Sequence, residues 1–337
     1  MKKFFIILVS SLILIAISIW FIINLLYKNV GIQQDIIIEI PQRATISECI
    51  KDFNEEGMLK PYWFFRNFCS LFSKFSGKQI HSGTYKFTYN QTNFEVIISI
   101  FSGKNRCLVK VTYPEGINLY RFASINKKML DLDSAEFISL AFDKNLLKNY
   151  NINSISLEGY LHPVTYDFPC KITNKKVIDI LVKQQDNVWN KEFKKSAESQ
   201  GKTRQEILTL ASIIEAESPT EEEKYIVSGV YLNRLKRGWK LEADPTVAYI
   251  NNKKGRLLHS DLKNESAFNT YLNYGLPPGP INSPSISSIK AALNPKKHKY
   301  MFFVAVGDGS GKHLFAENYK EHLRNVSKFR KVRKNRG

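Results

Sequence analysis

The stretch TRQEILTLASIIEAES, from Thr203 to Ser218, predicts a short helix packed in a protein core. Thr203 can cap the first turn, and Glu206 follows three residues later, which is the capping-box spacing. Apolar side chains then recur every three or four residues, the period of a helix face. They are Ile207, Leu208, Leu210, Ala211, Ile213 and Ile214. The stretch therefore predicts a packed helix that ends on two carboxylates.

Glu215 and Glu217 occupy the last turn of this predicted helix, just before Pro219. Unsatisfied carbonyl groups give that end of a helix a partial negative charge, which disfavours another anion. Ala211 and Leu208 precede Glu215 by one and two turns on the same face, and they add desolvation. We therefore expect both carboxyls to bind protons more tightly than free ones, as general-acid catalysis requires. The alternative interpretation is two solvated glutamates on an ordinary amphipathic helix.

The chain begins with an apolar run from Phe4 to Tyr27. A helix needs about 20 such residues to cross a bilayer, whereas a cleavable signal peptide has an apolar region of about 7 to 15. The run therefore predicts a retained membrane anchor. Lys2 and Lys3 precede it and Lys28 alone follows closely, so the charge bias places the N-terminus in the cytoplasm. Residues 1–30 are then a cytoplasmic stub and anchor, and the rest lies outside the cytoplasmic membrane.

The formal net charge of +18 raises the question of nucleic-acid binding. The basic residues are spread along the whole chain, and the predicted topology keeps them away from nucleic acid. We therefore expect no nucleic-acid partner. A basic surface outside the membrane suits anionic lipid headgroups and acidic wall polymers instead. The C-terminal run KFRKVRKNRG, residues 328–337, predicts a disordered basic tail.

The four cysteines, Cys49, Cys69, Cys107 and Cys170, are widely separated and form no C-x-x-C pair. This spacing excludes the usual zinc-ribbon site. An oxidising compartment would allow disulfides, but four cysteines permit three pairings, and free buried thiols are an equal alternative. The histidines show no metal-ligand spacing, so we predict neither a metal nor a cofactor.

Residues 35–113 predict a small α+β module. Strands and helices are predicted at Asp35–Ile40, Thr45–Gly57, Pro61–Phe75, Thr84–Thr88, Asn93–Phe101 and Cys107–Tyr113. Modules of this kind serve as substrate-binding accessories or as rigid spacers that hold the next domain off the membrane. The sequence does not choose between these two roles.

From residue 114 a larger, mainly helical α+β region follows. Helices are predicted at Leu119–Leu130, Ser134–Phe142, Lys175–Ser199, Arg204–Glu217, Thr220–Arg237 and Ser287–Leu293. Thr220 and Glu223 repeat the capping-box spacing. Tyr300–Val306 predicts a buried strand, and the turn after it leads to a final strand. The fold class is thus α+β, with one transmembrane helix, a small module and a larger domain.

Three polar segments in the larger region carry residues suited to sugar recognition. Asp244 stands immediately before a proline in LEADPTVAY, which should hold it extended. Asn269 and Tyr271 lie on the stiff loop FNTYLNYGLPPGPINSP, and Glu158 and Tyr160 lie in LEGYLHPVTYDFP. Amide and phenol groups suit sugar hydroxyl and acetamido groups, and aromatic faces suit pyranose rings. The same residue types also stabilise turns, so structural roles stay open.

The order of several long motifs resembles the YceG-like family of endolytic murein transglycosylases. These motifs are EGYL-x-P-x-TY-x-F, ASIIEAES, VYLNRL, DPTV-x-Y, NTY-x-x-x-GLPPGPI and AALNP, followed by FVA and GDG stretches. The resemblance runs from about residue 36 to 326. It implies a LysM-like module over residues 35–113 and a catalytic domain over 114–327. It also implies cleavage of peptidoglycan glycan strands, with Glu215 as the catalytic glutamate.

In this interpretation Glu215 acts twice, first as acid toward the glycosidic oxygen and then as base toward the muramyl 6-hydroxyl, leaving a 1,6-anhydro end. The residues expected to bind or position the sugar are Glu217, Asp244, Asn269, Tyr271, Glu158 and Tyr160. One alternative is a hydrolase that uses Glu215 with a second carboxylate such as Asp244. Another is a non-catalytic wall-binding scaffold that recruits wall-synthesis enzymes.

Overall fold

A computed structural model describes residues 2–218, 220–253, 255 and 257–335. The chain forms two compact units, one of Met1–Val109 with Asp167–Lys171 and one of Lys110–Tyr166 with Ile172–Gly337. Both helices and short antiparallel strands are present, so the predicted α+β class is confirmed. Met1, where the predicted anchor region begins, and Gly337, where the predicted basic tail ends, lie outside the described residues.

Helix α1, Lys2–Tyr27, is 26 residues long and apolar enough to cross a membrane by length and composition. Its last turn packs within the first unit, because the Asn93 side-chain amide donates to the Leu25 carbonyl at 3.0 Å. The Tyr27 ring also stacks on Phe94, with 5.6 Å between the ring centroids. The end of the predicted anchor is therefore joined to a folded core.

The first unit has the predicted order of strand, two helices, strand and helix. The elements are β1 (Ile36–Ile40), α2 (Ile46–Glu55), α3 (Tyr62–Ser76), β2 (Gly83–Phe87) and α4 (Asn93–Ser102). β1 and β2 pair antiparallel, with Ile38 opposite Tyr85. Thr45 forms a capping box with Glu48 at the start of α2, which fixes where that helix begins. The LysM-like character of this unit stays a prediction.

The cysteines divide into one disulfide and two free thiols. Cys107 and Cys170 are bonded, with 5.4 Å between their Cα atoms. Cys49 and Cys69 are free and buried, and burial raises the pKa of each thiol to about 12. Both alternatives left open by the sequence therefore occur, each in one pair of cysteines.

The remaining elements run from β3 to the C-terminus. They are β3 (Leu108–Thr112), α5 (Leu119–Leu130), α6 (Ser134–Ala141), α7 (Lys144–Asn149), β4 (Thr165–Pro169), α8 (Asn174–Val188), α9 (Lys194–Ser199), α10 (Arg204–Glu217), α11 (Glu221–Lys236), α12 (Asp244–Ile250), α13 (Ile286–Leu293), β5 (Phe302–Ala305), β6 (His313–Ala316) and α14 (Tyr319–Lys334). β3 pairs with β4 and β5 with β6. The helix predicted over Lys175–Ser199 is interrupted by a π-helical turn at Trp189–Phe193.

Two predictions about the second unit are wrong. Thr220 does not cap α11 through its side chain, because Glu223 instead accepts hydrogen bonds from His313, at 3.1 Å from its backbone nitrogen and 2.8 Å from Nδ1. The basic C-terminal run is not disordered as far as Lys334, since it continues α14, which packs on β5 and β6. The Asn318 side chain caps this helix by accepting from the backbone nitrogen of Glu321 at 3.0 Å.

Helix α10 lies at the centre of the second unit. The predicted capping box forms, with the Thr203 backbone nitrogen 2.8 Å from Glu206 Oε2, and residues 207–214 are buried. Ser212 anchors the proline-rich loop, because its hydroxyl accepts from the Ile281 backbone nitrogen at 3.0 Å and its carbonyl accepts from the Asn282 amide at 2.8 Å. The loop is thereby held beside the end of α10 that carries the two glutamates.

Candidate active site

Glu215 is anchored between three helices. Its Oε2 atom accepts hydrogen bonds from Lys224 Nζ at 3.0 Å, from the Ser285 backbone nitrogen at 3.0 Å and from Ser288 Oγ at 2.6 Å. The Ser285 hydroxyl donates to the same oxygen. Lys224 comes from α11 and the two serines from the start of α13, so one carboxylate oxygen joins α10 to both neighbours.

These donors decide the protonation of Glu215. Burial on its own would raise the pKa of this carboxyl, but the hydrogen bonds from Ser285 and Ser288 and the charge of Lys224 lower it below its ordinary value. The prediction that Glu215 holds its proton tightly is therefore wrong. The sequence argument considered the partial charge at the helix end and the apolar face, both of which raise the pKa. The four converging donors lower the pKa by more than these two effects raise it.

Glu217 has the opposite surroundings. Burial raises the pKa of its carboxyl to about 7, and the hydrogen bond from Tyr231, at 2.7 Å between Oη and Oε1, only partly offsets this. The negative charge of Asp244 raises the pKa further, while the charge of Arg234 lowers it. The prediction of a raised proton affinity is thus confirmed for Glu217, which suits general-acid chemistry near neutral pH.

Two cavities meet at Glu217. We call the first, of about 860 Å³, the large cavity; its lining includes Asn118, Arg121, Glu217, Asp244, Tyr249 and Asn282. We call the second, of about 260 Å³, the aromatic cavity; its lining includes Glu217, Tyr231, Arg234, Tyr271, Phe302 and Tyr319. Among the described residues, Glu217 and Asp244 line both cavities, and Glu215 lines neither. Small-molecule sites commonly have volumes of about 300 to 1,000 Å³, so the large cavity lies within that range and the aromatic cavity slightly below it.

Glu215 lies behind the wall of the large cavity. Gly116 belongs to that wall, and a Cβ atom added to Gly116 would lie 3.3 Å from Glu215 Cγ. Gly116 also has a φ angle of +71°, which side-chain-bearing residues rarely adopt. A glycine at this position therefore lets the loop before α5 approach the anchored glutamate.

Asp244 and Tyr271 meet at the site as a bonded pair. Tyr271 donates its phenolic hydrogen to Asp244 Oδ1 at 2.6 Å, and both residues line the aromatic cavity. Asp244 is not extended as predicted, because α12 begins at this residue with Pro245 in its first turn. Proline is well tolerated there, and an acidic residue is favoured by the helix dipole. The backbone prediction for Asp244 is therefore wrong, and the sugar-positioning role of both residues stays a prediction.

Three predicted sugar-binding residues serve the interior instead. Glu158 is 2% exposed, and burial raises its pKa to about 8 while it accepts from the Leu119 backbone nitrogen at 3.2 Å. Tyr160 is also buried, with the Arg204 guanidinium 5.0 Å from its ring centroid. Asn269 is fully buried, and its amide donates to the backbone carbonyls of Leu262 and Asn264, just before its loop. Direct sugar contact by these three side chains is inconsistent with their burial.

Sequence reasoning missed Arg234 and the aromatic residues beside it. Arg234 donates from Nε to the Met301 carbonyl at 2.8 Å and from Nη1 to the Leu241 carbonyl at 2.9 Å. Its guanidinium lies 5.3 Å from the centroid of the Phe302 ring. The sequence pointed to Arg234 only through the motif VYLNRL, which contains it. Its proximity to Phe302 could not be read from spacing, because Phe302 lies 68 positions further along the chain.

Known proteins match almost the whole chain. The model of the YceG-like family matches residues 38–328. The chain is similar to the endolytic murein transglycosylase of Bacillus subtilis (strain 168), with 31% identity over 313 residues, covering 87% of this chain and 84% of that protein. The Streptococcus pneumoniae (strain D39) protein of the same name is 26% identical over 336 residues, covering 90% of this chain but 60% of that protein.

A solved structure gives the same result at the level of the fold. The crystal structure of a yceG-like protein from Listeria monocytogenes is 28% identical in sequence and aligns with a TM-score of 0.60. The alignment covers 87% of this chain and 99% of the Listeria chain. The likeness therefore includes most of both chains.

Proposed function

This chain belongs to the YceG-like family, and on that premise we propose that it is a membrane-anchored endolytic murein transglycosylase. Its substrate would be the peptidoglycan glycan strand, cut between N-acetylmuramic acid and N-acetylglucosamine. The observation that carries the proposal is Glu217, whose pKa of about 7 leaves a proton available at the wall shared by two cavities. The names of the curated relatives support the same reaction class.

We assign the general acid to Glu217 rather than Glu215. In the first step Glu217 protonates the glycosidic oxygen, and an oxocarbenium-like transition state develops at the muramyl anomeric carbon. In the second step the Glu217 carboxylate takes the proton of the muramyl 6-hydroxyl, which closes the 1,6-anhydro ring. No water is consumed, so the reaction is a lyase reaction.

Asp244 is suited to assist this chemistry without exchanging a proton. Its charge helps to keep Glu217 protonated before the reaction, and a carboxylate at the site also stabilises the positive charge that develops on the sugar. Tyr271 holds Asp244 in place through the 2.6 Å hydrogen bond. Both residues would therefore act on the transition state as well as on binding.

Helix α1 and the rest of the first unit bear on where the enzyme acts. We take α1 as a single-pass anchor in the cytoplasmic membrane with a cytoplasmic N-terminus, which leaves both folded units outside. The strand–helix–helix–strand order of the first unit supports a LysM-like, glycan-binding module. Wall-synthesis enzymes in the same membrane are natural partners for an enzyme that cuts new strands.

Mass spectrometry of digested peptidoglycan tests the proposal. Purified sacculi are incubated with the detergent-solubilised full chain, its Glu217→Gln form and its Glu215→Gln form. We expect 1,6-anhydro-muramic ends from the unsubstituted protein and from the folded fraction of Glu215→Gln, and none from Glu217→Gln.

The other outcomes distinguish the alternatives. Reducing muramic ends would overturn the lyase reaction in favour of hydrolysis, with Asp244 as the second carboxylate. Complementation of a deletion strain by Glu217→Gln would favour a wall-binding scaffold. Loss of scission in a fully folded Glu215→Gln, with Glu217→Gln still active, would return the acid role to Glu215.

A further inference from the structure

The two cavities at Glu217 differ in size and in lining. The large cavity is more than three times the volume of the aromatic cavity, at about 860 Å³ against 260 Å³. Among the described residues, five phenylalanine and tyrosine side chains line the smaller one, namely Tyr231, Tyr271, Phe302, Phe303 and Tyr319. Tyr249 is the one aromatic side chain among the described residues that line the larger one. The two cavities are therefore built for different chemical groups.

The aromatic cavity suits a sugar that carries no large substituent. Flat aromatic faces pack against the apolar face of a pyranose ring, and the volume leaves little room beyond one ring. Arg234 contributes no free charge to this cavity, because it is paired with Glu242 at 3.0 Å and bonded to backbone carbonyls. The lining thus favours a neutral ring such as N-acetylglucosamine.

The large cavity suits a substituted sugar. Arg121 and Lys253 line it, although Lys253 is paired with Asp261. N-acetylmuramic acid carries a lactyl group, and in the intact wall a stem peptide with carboxylates extends from that group. The room and the Arg121 cation in this cavity fit such a substituent.

From these differences we infer the direction in which a glycan strand lies across Glu217. The peptide-bearing muramyl residue occupies the large cavity, and the N-acetylglucosamine leaving group occupies the aromatic cavity. This inference rests on the proposed function, because it orients the same strand at the same acid. Protonation by Glu217 then frees the 4-hydroxyl of the sugar held by the aromatic side chains.

Binding to an inactive protein tests the aromatic cavity independently of catalysis. The probe is N-acetylglucosamine tetrasaccharide, titrated by calorimetry into the full-length Glu217→Gln protein. We expect Tyr319→Ala to weaken binding about fivefold, as loss of one aromatic contact implies. Leu323→Ala is the matched control, because Leu323 is exposed on the same helix and lines neither cavity. Equal affinity of the Tyr319→Ala and Leu323→Ala proteins would contradict sugar binding in the aromatic cavity.

Paired substrates test the direction. Strand scission is measured on intact glycan strands and on strands whose stem peptides an amidase has removed. We expect Arg121→Ala to slow scission of peptide-bearing strands severalfold more than that of peptide-free strands, whereas Tyr319→Ala should slow both equally. Lys127→Ala, an exposed substitution on the same helix as Arg121, is the control.

The reverse pattern would overturn the assigned direction. If Tyr319→Ala discriminated between the two substrates and Arg121→Ala did not, the muramyl residue would lie in the aromatic cavity. If the unsubstituted protein cut neither substrate while the tetrasaccharide still bound at Tyr319, the proposed function would fail and the sugar site would stand. The two failures are therefore distinguishable.

Discussion

Glu215 and Glu217 lie two residues apart on one helix, yet their surroundings give them opposite properties. Four donors from α11 and α13 converge on Glu215 and lower its pKa, whereas burial beside two cavities raises that of Glu217 to about 7. The difference follows from helix geometry, because residues two positions apart point about 200° away from each other. One face of the last turn of α10 therefore fastens the helix, and the other face presents an acid.

The two carboxyls also affect stability in opposite senses. The folded-state pKa of Glu215 lies below its unfolded value, so its contribution to stability is present above that value and is lost as the pH falls. The folded-state pKa of Glu217 lies above its unfolded value of about 4.5, so its contribution is lost as the pH rises toward 7. A buried carboxyl with a raised pKa thus costs stability at neutral pH, and the anchored carboxylate of Glu215 offsets part of that cost.

The largest expected effect separates the two glutamates by activity. Glu217→Gln should lower strand scission by about 10²- to 10⁴-fold, because an amide does not supply the proton to the leaving oxygen. Glu215→Gln should keep most of the activity per folded molecule. The measurement is the rate of release of anhydro-muropeptides, normalised to the folded fraction from circular dichroism. Equal losses of activity per folded molecule in the two variants would contradict the assignment of different roles to Glu215 and Glu217.

The second effect concerns stability. Glu215→Gln should lower the free energy of unfolding by about 3 to 5 kcal/mol, since it leaves the buried Lys224 ammonium without its counter-charge. Denaturant unfolding measures this loss. Glu206→Gln is the matched control on the same helix, because Glu206 is a surface capping residue, and it should cost only about 1 kcal/mol. A Glu215→Gln protein as stable as the control would show that the cluster does not anchor the helix.

The sequence predicted the helix but not the division of roles at its end. The apolar spacing and the capping box gave α10 its observed limits, because both signals are local. The partners that separate Glu215 from Glu217 are distant in the chain, since Ser285 lies 70 residues away and Lys224 belongs to the next helix. A local argument from the helix dipole therefore assigned one pKa direction to both carboxyls.

Other errors have the same cause. Glu223 has the right spacing for a capping box with Thr220, but His313, 90 residues away, binds it more favourably in the folded chain. Asn269 has the chemistry of a sugar ligand, but its amide is bonded to backbone carbonyls of the segment just before its loop. Residue type and spacing point to polar segments, whereas tertiary contacts decide which side chains remain available to a ligand.

The pH dependence of strand scission tests the protonation of Glu217. Scission measured as kcat/KM should fall as the pH rises above about 7, because Glu217 then loses its proton. Asp244→Asn should move this descending limb to lower pH, since the Asp244 charge raises the pKa of Glu217. Tyr231→Phe should move it to higher pH, since the Tyr231 hydrogen bond lowers that pKa. Shifts in the same direction, or no shift, would contradict the assignment of the limb to Glu217.

The smallest expected effect concerns a single donor at Glu215. Ser288→Ala removes the 2.6 Å hydrogen bond to Oε2 but leaves Lys224 and Ser285 in place, so it should cost about 1 kcal/mol of unfolding free energy. Because this hydrogen bond lowers the pKa of Glu215, the acid limb of the stability profile should move to higher pH. The descending limb of the activity profile should not move, because that limb belongs to Glu217. A variant that moved both limbs would show that the two faces of the helix end are coupled.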